Sequence, residues 1–147
     1  MLKRNILMAS FCLASFLPII AIAKVGCNDN DFQQFESTNQ CIGCDLSNAD
    51  LAFSSDHSQA NLSSSNLSDS KTVFGDFSEA NFTNANFTRA DLEATNFSEA
   101  NFTGTALFGA NLSNSNLYQA KISPAQLAQA KTVCDAILPD GSTGACP

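Results

Sequence analysis

From Ala60 to Leu127 the sequence repeats every five residues, and this period is the feature that most limits the fold. The third position of each unit is Leu, Phe or Ile in all of fourteen consecutive units except the one that contains Thr72. The first position is always Ala, Ser, Thr or Gly, and the second is Asn or Asp in ten of the fourteen units. The apolar period is therefore five throughout this stretch.

A period of five fits neither an α-helix nor a straight β-strand. On a helix five residues advance the chain by ~500°, so the large residues would drift by ~140° per unit and form no apolar stripe. On a straight strand an odd period would place successive large residues on opposite faces. A chain that turns by a similar angle at each unit can bury them all, and repeated turning produces stacked coils, a solenoid.

Successive units such as ANFTN, ANFTR, ADLEA, TNFSE and ANFTG follow the pattern A-[DN]-[LF]-[ST]-x, which resembles the pentapeptide-repeat proteins. The resemblance extends from Cys41 to Ile137. It implies an all-β fold, a right-handed quadrilateral β-helix with four units per coil and about five coils. Residues 41–133 are expected to form this β-helix, with a cap at 24–40 and a C-terminal cap or tail at 134–147.

Four units per coil would stack the large residues in four inward columns. The first column is Cys41, Leu62, Phe82, Phe102 and Ile122, and the second is Leu46, Leu67, Phe87, Leu107 and Leu127. The third is Leu51, Thr72, Leu92, Leu112 and Thr132, and the fourth is His57, Phe77, Phe97, Leu117 and Ile137. This alignment requires one inserted residue within Ala52–Gln59, and we interpret His57 as a packed core residue rather than a ligand or a base.

The N-terminus has the features of a secretory signal peptide at residues 1–23. Lys3 and Arg4 precede a mostly apolar run, and Ala21-Ile22-Ala23 is a small-x-small cleavage site. The alternative is an uncleaved membrane anchor. Cleavage predicts export to the periplasm or the medium, without stable membrane insertion of the mature chain.

Removal of residues 1–23 would leave five basic residues against fourteen acidic ones, a net charge of −9. Nucleic acids and anionic membranes bind basic surfaces, so neither is an expected partner. The carboxylates cluster beside the fourth column at Asp56, Asp76, Glu79 and Glu99, and beside the third at Asp50, Asp91 and Glu93. The first column carries Asn61, Asn81 and Asn101, which are expected to form an amide ladder.

The segment before the repeat contains Phe32 and Phe35, which we expect to cover the first coil because the end of a solenoid needs a cap. Cys41 and Cys44 then begin the repeat, both facing inward, and packing or a disulfide is the favoured interpretation. A redox dithiol would need a βαβ context, which is absent. A zinc site would need two more ligands, for which only Cys27 and His57 are near in sequence.

The tail resembles the "C…PDGS…C" ending of many family members, and Pro139-Asp140-Gly141 is a turn signal. Cys134 and Cys146 flank this turn and are candidates for a disulfide in an oxidising compartment. A pairing of Cys27 with Cys41 or Cys44 is a further alternative.

Function follows less directly from the sequence. We expect a non-enzymatic exported scaffold, monomeric or homodimeric, with no metal or cofactor and a protein partner in the cell envelope. Phe53 and Phe74 fall on the third face in adjacent coils and form a candidate contact patch, unless both fold back at irregular corners. One alternative is implied by the resemblance, since some acidic relatives mimic DNA and bind gyrase; the negative charge permits this role, whereas the signal peptide argues against it. The other alternative is a thiol oxidoreductase that uses Cys41 and Cys44.

Overall fold

A computed structural model describes residues 28–52 and 56–147. Helix α1 spans Asp29–Thr38 and helix α2 spans Pro124–Leu127. Between and after them the described backbone is a succession of turns and single-residue parallel β-bridges. The predicted signal peptide, Cys27 and Phe53 lie outside the described residues. None of the described helices has the length and hydropathy to cross a membrane.

The parallel bridges show how the coils stack. Asn61 pairs with Asn81, and Asn81 pairs with Asn101, so neighbouring coils are 20 residues apart and each takes four units. The N–H of Leu62 donates to the carbonyl oxygen of Asn81 at 2.9 Å, and the N–H of Ser65 closes a turn on the carbonyl of Leu62 at 3.2 Å. This backbone pattern is that of a β-helix.

The fifth residue of each unit turns the corner in the left-handed region. Glu79, Asn84 and Arg89 have φ of 59°, 58° and 60°, as the second central residue of a tight turn requires. The chain thus changes direction once per unit, which is why a period of five can keep the large residues of the third position inside.

The predicted extra residue near the start of the repeat is confirmed. Asp50 pairs with Lys71, 21 residues away, whereas Asp56 pairs with Asp76, 20 residues away. The insertion therefore lies between Asp50 and Asp56, and it leaves His57 buried at the large position of the fourth column.

The interior is filled by the stacked columns. The rings of Phe82 and Phe102 are stacked with centroids 5.1 Å apart, and Phe82 meets Phe87 edge to face at 5.0 Å. Thr72, the polar exception, is also buried, and its hydroxyl lies 2.9 Å from that of Thr95. Since a buried polar group must be hydrogen-bonded, this pair makes Thr72 compatible with the core.

Two positions assigned to the inward columns are wrong at the C-terminal end. Thr132 and Ile137 pair with Asn111 and Asn116, so both stand at outward positions, and Ile137 is 44% exposed. By this register Val133 and Leu138 take the third positions, and Val133 packs against the core. The cause is helix α2, which replaces one unit and lengthens this coil by one residue.

Both ends of the stack differ from the repeat. In α1, Phe32 and Phe35 are buried against the first coil, and the helix ends at Asn39 in the left-handed conformation. At the other end, Ile137 pairs antiparallel with Thr143, and the N–H of Gly144 donates to the carbonyl of Ala136 at 2.8 Å. The tail thus folds back as a short hairpin.

Candidate interaction surface

The outward side chains of each unit form ordered rows along the stack. Asn116 donates its side-chain N–H to Asn96 Oδ1 at 3.1 Å, and Asn86 donates to Asn66 Oδ1 at 3.3 Å. The ladder predicted for the first face is only partly formed. Asn81 donates to Asn61 at 3.4 Å, but Asn101 donates to the hydroxyl of Thr83 at 3.1 Å instead.

The same side-chain oxygens also accept from the backbone two residues ahead. Asn81 Oδ1 accepts the N–H of Thr83 at 3.1 Å and its hydroxyl at 2.7 Å. Asp and Asn favour such local bonds, which explains their preference for the second position and that of Ser or Thr for the fourth. The outward polar rows are therefore held in place by the backbone.

Carboxylates are hydrogen-bonded at several surface positions. The side-chain and backbone hydrogen bonds from Ser58 lower the pKa of Asp56, and those from Ser142 lower the pKa of Asp140. Arg89 contacts Asp69 through two N–H groups at 2.8 and 2.6 Å. This fork lowers the pKa of Asp69 and raises that of Arg89.

Large apolar side chains also project from these polar faces. Phe74 is 62% exposed on the third face, while Phe53, its predicted neighbour in the contact patch, lies outside the described residues. Phe108 on the second face and Tyr118 on the fourth are 69% and 47% exposed. The sequence analysis missed both, although an aromatic residue at the fourth position, where Ser or Thr is usual, was a readable signal.

The cysteines form two disulfides in the described part of the chain. Cys41 is joined to Cys44 and Cys134 to Cys146, with Cα–Cα distances of 5.4 and 4.3 Å. Neither Cys41 nor Cys44 is thus left for Cys27, and both are buried. The side chains of Cys134, Asp135 and Cys146 lie close together, and each is of a type that can bind a metal ion. The two sulfurs are joined in a disulfide, however, so they are not the thiolates that bind metals.

Two shallow clefts lie at the C-terminal end of the stack. One of about 340 Å³ is lined by residues around α2, including Lys121, Ile122 and Gln126. The other, of about 280 Å³, lies between α2 and the tail, against Leu127, Val133 and Pro147.

The repeat matches a family model directly. The model for pentapeptide repeats matches in eight copies, over residues 40–84, 58–98, 76–114, 85–123 and 95–131. The chain belongs to the pentapeptide repeat family. A search of curated proteins found no match.

Among solved structures, this pentapeptide repeat protein is similar to one from the thylakoid lumen of Arabidopsis thaliana. The two sequences are 23% identical, the TM-score is 0.59, and the match covers 70% of this chain and 68% of the other. It also matches HetL of the cyanobacterium Nostoc, with 28% identity and a TM-score of 0.49, over 66% of this chain and 39% of HetL. The Arabidopsis structure supports the fold alone, a β-helix consistent with the right-handed form.

Proposed function

We propose that this pentapeptide repeat protein is an exported, non-enzymatic scaffold of about five coils that binds a protein partner in the cell envelope. The observation that carries the proposal is the combination of a filled interior with flat polar faces from which exposed aromatic side chains project, Phe74, Phe108 and Tyr118 among them. The columns fill the core with Phe and Leu, so ligands must bind on the outside. Aromatic residues are the usual anchors of protein interfaces.

The proposed anchors are Phe74, from the predicted patch with Phe53, and Phe108. Phe108 stands in a row of short polar residues, since it occupies the position held by Thr88 one coil below. A partner would meet an aromatic anchor surrounded by ordered amides and hydroxyls, which resembles the composition of interfaces with an apolar centre and a polar rim.

Export is proposed from the predicted signal peptide at residues 1–23 and from the two disulfides, which persist in oxidising compartments. The proposed caps are residues 24–40, which contain α1, and residues 134–147, which contain the tail hairpin.

The experiment is in-cell cross-linking of the tagged full chain, followed by intact mass and identification of cross-linked partners by mass spectrometry. We expect a species that begins at Lys24 in the envelope or medium, and a cross-link lost in Phe108→Ser or Phe74→Asn. Thr88→Ser is the matched control, because it alters the same row one coil away without removing an aromatic ring. Asn at position 74 suits the left-handed φ of 61°.

The opposite result would favour the alternative function, mimicry of DNA. An uncleaved cytoplasmic protein whose cross-links are insensitive to Phe74 and Phe108 contradicts the proposal. A gyrase supercoiling assay then tests mimicry of DNA, with the acidic fourth face at Asp76, Glu79 and Glu99 as the surface to alter.

A further inference from the structure

The single histidine of the chain joins helix α1 to the first coil. His57 is 2% exposed, and its ring lies between Phe35 of α1, at a centroid distance of 4.4 Å, and Phe77 of the next coil, at 5.2 Å. A titratable ring therefore occupies the contact through which the helix covers the stack.

The hydrogen bonds of Asn39 assign the proton on one nitrogen of this ring. The Asn39 side-chain N–H donates to the carbonyl oxygen of Ser58 at 2.9 Å, so its Oδ1 faces His57. That oxygen lies 2.9 Å from His57 Nδ1. Because an amide oxygen only accepts, Nδ1 carries a hydrogen and donates it.

The other nitrogen faces a carboxylate. His57 Nε2 lies 3.5 Å from Glu36 Oε1, and both atoms are buried without a hydrogen-bond partner. In the neutral ring with a proton on Nδ1, Nε2 has only a lone pair to present to the carboxylate oxygen. Two buried acceptors that face each other are unfavourable, whereas a second proton on Nε2 makes an imidazolium–carboxylate ion pair.

We propose that His57 and Glu36 form a proton-dependent latch, which holds helix α1 on the first coil while His57 carries both protons and releases the helix when the Nε2 proton is lost. Glu36 is the charged group that α1 directs at the ring. From the first coil, the neighbouring charge is Asp56, whose carboxylate is exposed and bonded to Ser58. The coil above presents the apolar ring of Phe77.

The direction of the pH effect follows from proton binding. The closed form holds the Nε2 proton against Glu36, and the released form exposes both groups to water. The closed form loses its ion pair with Glu36 when the Nε2 proton leaves, so closure is favoured at low pH and weakens as the pH rises. Release uncovers Phe32, Phe35 and the apolar end of the coils.

The test is hydrogen exchange with mass spectrometry on the full chain, with protection factors normalised to intrinsic exchange at each pH. We expect the protection of residues 29–38 to fall by about tenfold or more between pH 5.5 and 8.5. Peptides from the central coils, such as those around Phe87, should keep constant protection across the same range. Unchanged protection of α1 in the wild-type chain overturns the proposal.

Two variants assign the effect to the pair. Glu36→Gln removes the carboxylate but keeps hydrogen-bonding groups, and His57→Phe extends the aromatic column of Phe77 and Phe97. Both should make α1 protection independent of pH. Asp56→Asn is the matched control, since it removes a nearby carboxylate that does not face Nε2, and it should leave the pH dependence intact. A pH dependence that persists in Glu36→Gln contradicts the latch even if His57→Phe does not fold.

Discussion

Gln126 Nε2 lies 2.6 Å from the backbone carbonyl oxygen of Phe102 and 3.0 Å from that of Thr105. One coil below, the corresponding donor is a backbone group, because the N–H of Ala106 donates to the carbonyl oxygen of Ala85 at 3.0 Å. Helix α2 replaces the unit that would supply this N–H above Thr105. The Gln126 side chain therefore substitutes for the missing backbone donor.

Gln126→Ala should lower the free energy of unfolding by about 1–2 kcal/mol, because it leaves two carbonyls of the last coil without this donor. It also removes the capping box with Ser123, which begins α2. Chemical denaturation measures the change. Gln129→Ala is the control, since Gln129 is exposed and contributes its backbone carbonyl to Gly109. Equal losses in the two variants would contradict the role assigned to the Gln126 amide.

The sequence predicted most of the coil register because the period alone decides which residues face inward. Fourteen in-phase units leave no second register that buries the same residues, and the insertion before His57 was readable as one extra residue. The register failed at Thr132 and Ile137 because a short helix followed the last regular unit. Ser123-Pro124-Ala125-Gln126 carries the signal of a capped helix start, but the repeat outweighed it.

Contacts between the repeat and the segments outside it could not be predicted from periodicity. The approach of Glu36 to His57 depends on how α1 docks, and no spacing rule relates the two residues. The exposure of Phe108 was missed for a different reason: composition marks it as apolar, and only its place in the unit shows that it points outward.

Phe82→Ala should destabilise the protein by about 3–5 kcal/mol, since the ring is fully buried and contacts Phe87, Phe97 and Phe102. Phe108→Ala, a chemically identical change at a 69% exposed site, should stay within about 0.5 kcal/mol of wild type. Urea unfolding of both variants measures the difference. Similar losses would mean that Phe108 packs against the protein in solution.

Asp76→Asn should stabilise the β-helix by completing an amide ladder. Asp56 and Asp76 are paired across adjacent coils, and like charges directly opposite are destabilising. An amide at position 76 can donate to Asp56 and still accept the side-chain N–H of Asn96, which Asp76 Oδ1 now accepts at 3.0 Å. We expect a higher thermal midpoint at neutral pH and a smaller gain in high salt. A thermal midpoint below that of wild type would show that repulsion between Asp56 and Asp76 does not determine stability at this position.

Ala94→Asn should raise the free energy of unfolding by up to about 1 kcal/mol, because Ala94 has φ of 53° and Asn tolerates the left-handed region better than Ala. Asn114 already occupies the corresponding corner one coil above, with φ of 58°. The converse change is Gly104→Ala, at φ of 71°, where a Cβ would collide with the Asn84 side chain. This variant should lose about 1–2 kcal/mol. We expect the thermal midpoint to rise in Ala94→Asn and to fall in Gly104→Ala. Shifts in the same direction would contradict the idea that left-handed backbone strain at the corners limits stability.

Removal of the C-terminal disulfide should let the tail open under conditions in which the stacked coils stay folded. In the double variant Cys134→Ser with Cys146→Ser, the lost loop closure of 12 residues corresponds to roughly 3 kcal/mol in the chain-entropy treatment. Proteolysis and hydrogen exchange should therefore report faster opening of residues 135–144. Cys41→Ser with Cys44→Ser opens a loop of only 3 residues, for which the same treatment gives about 1.5 kcal/mol. On chain entropy alone, the tail variant should therefore lose more free energy of unfolding than the N-terminal variant. If the N-terminal variant is less stable, burial of its cysteines rather than loop closure determines the cost.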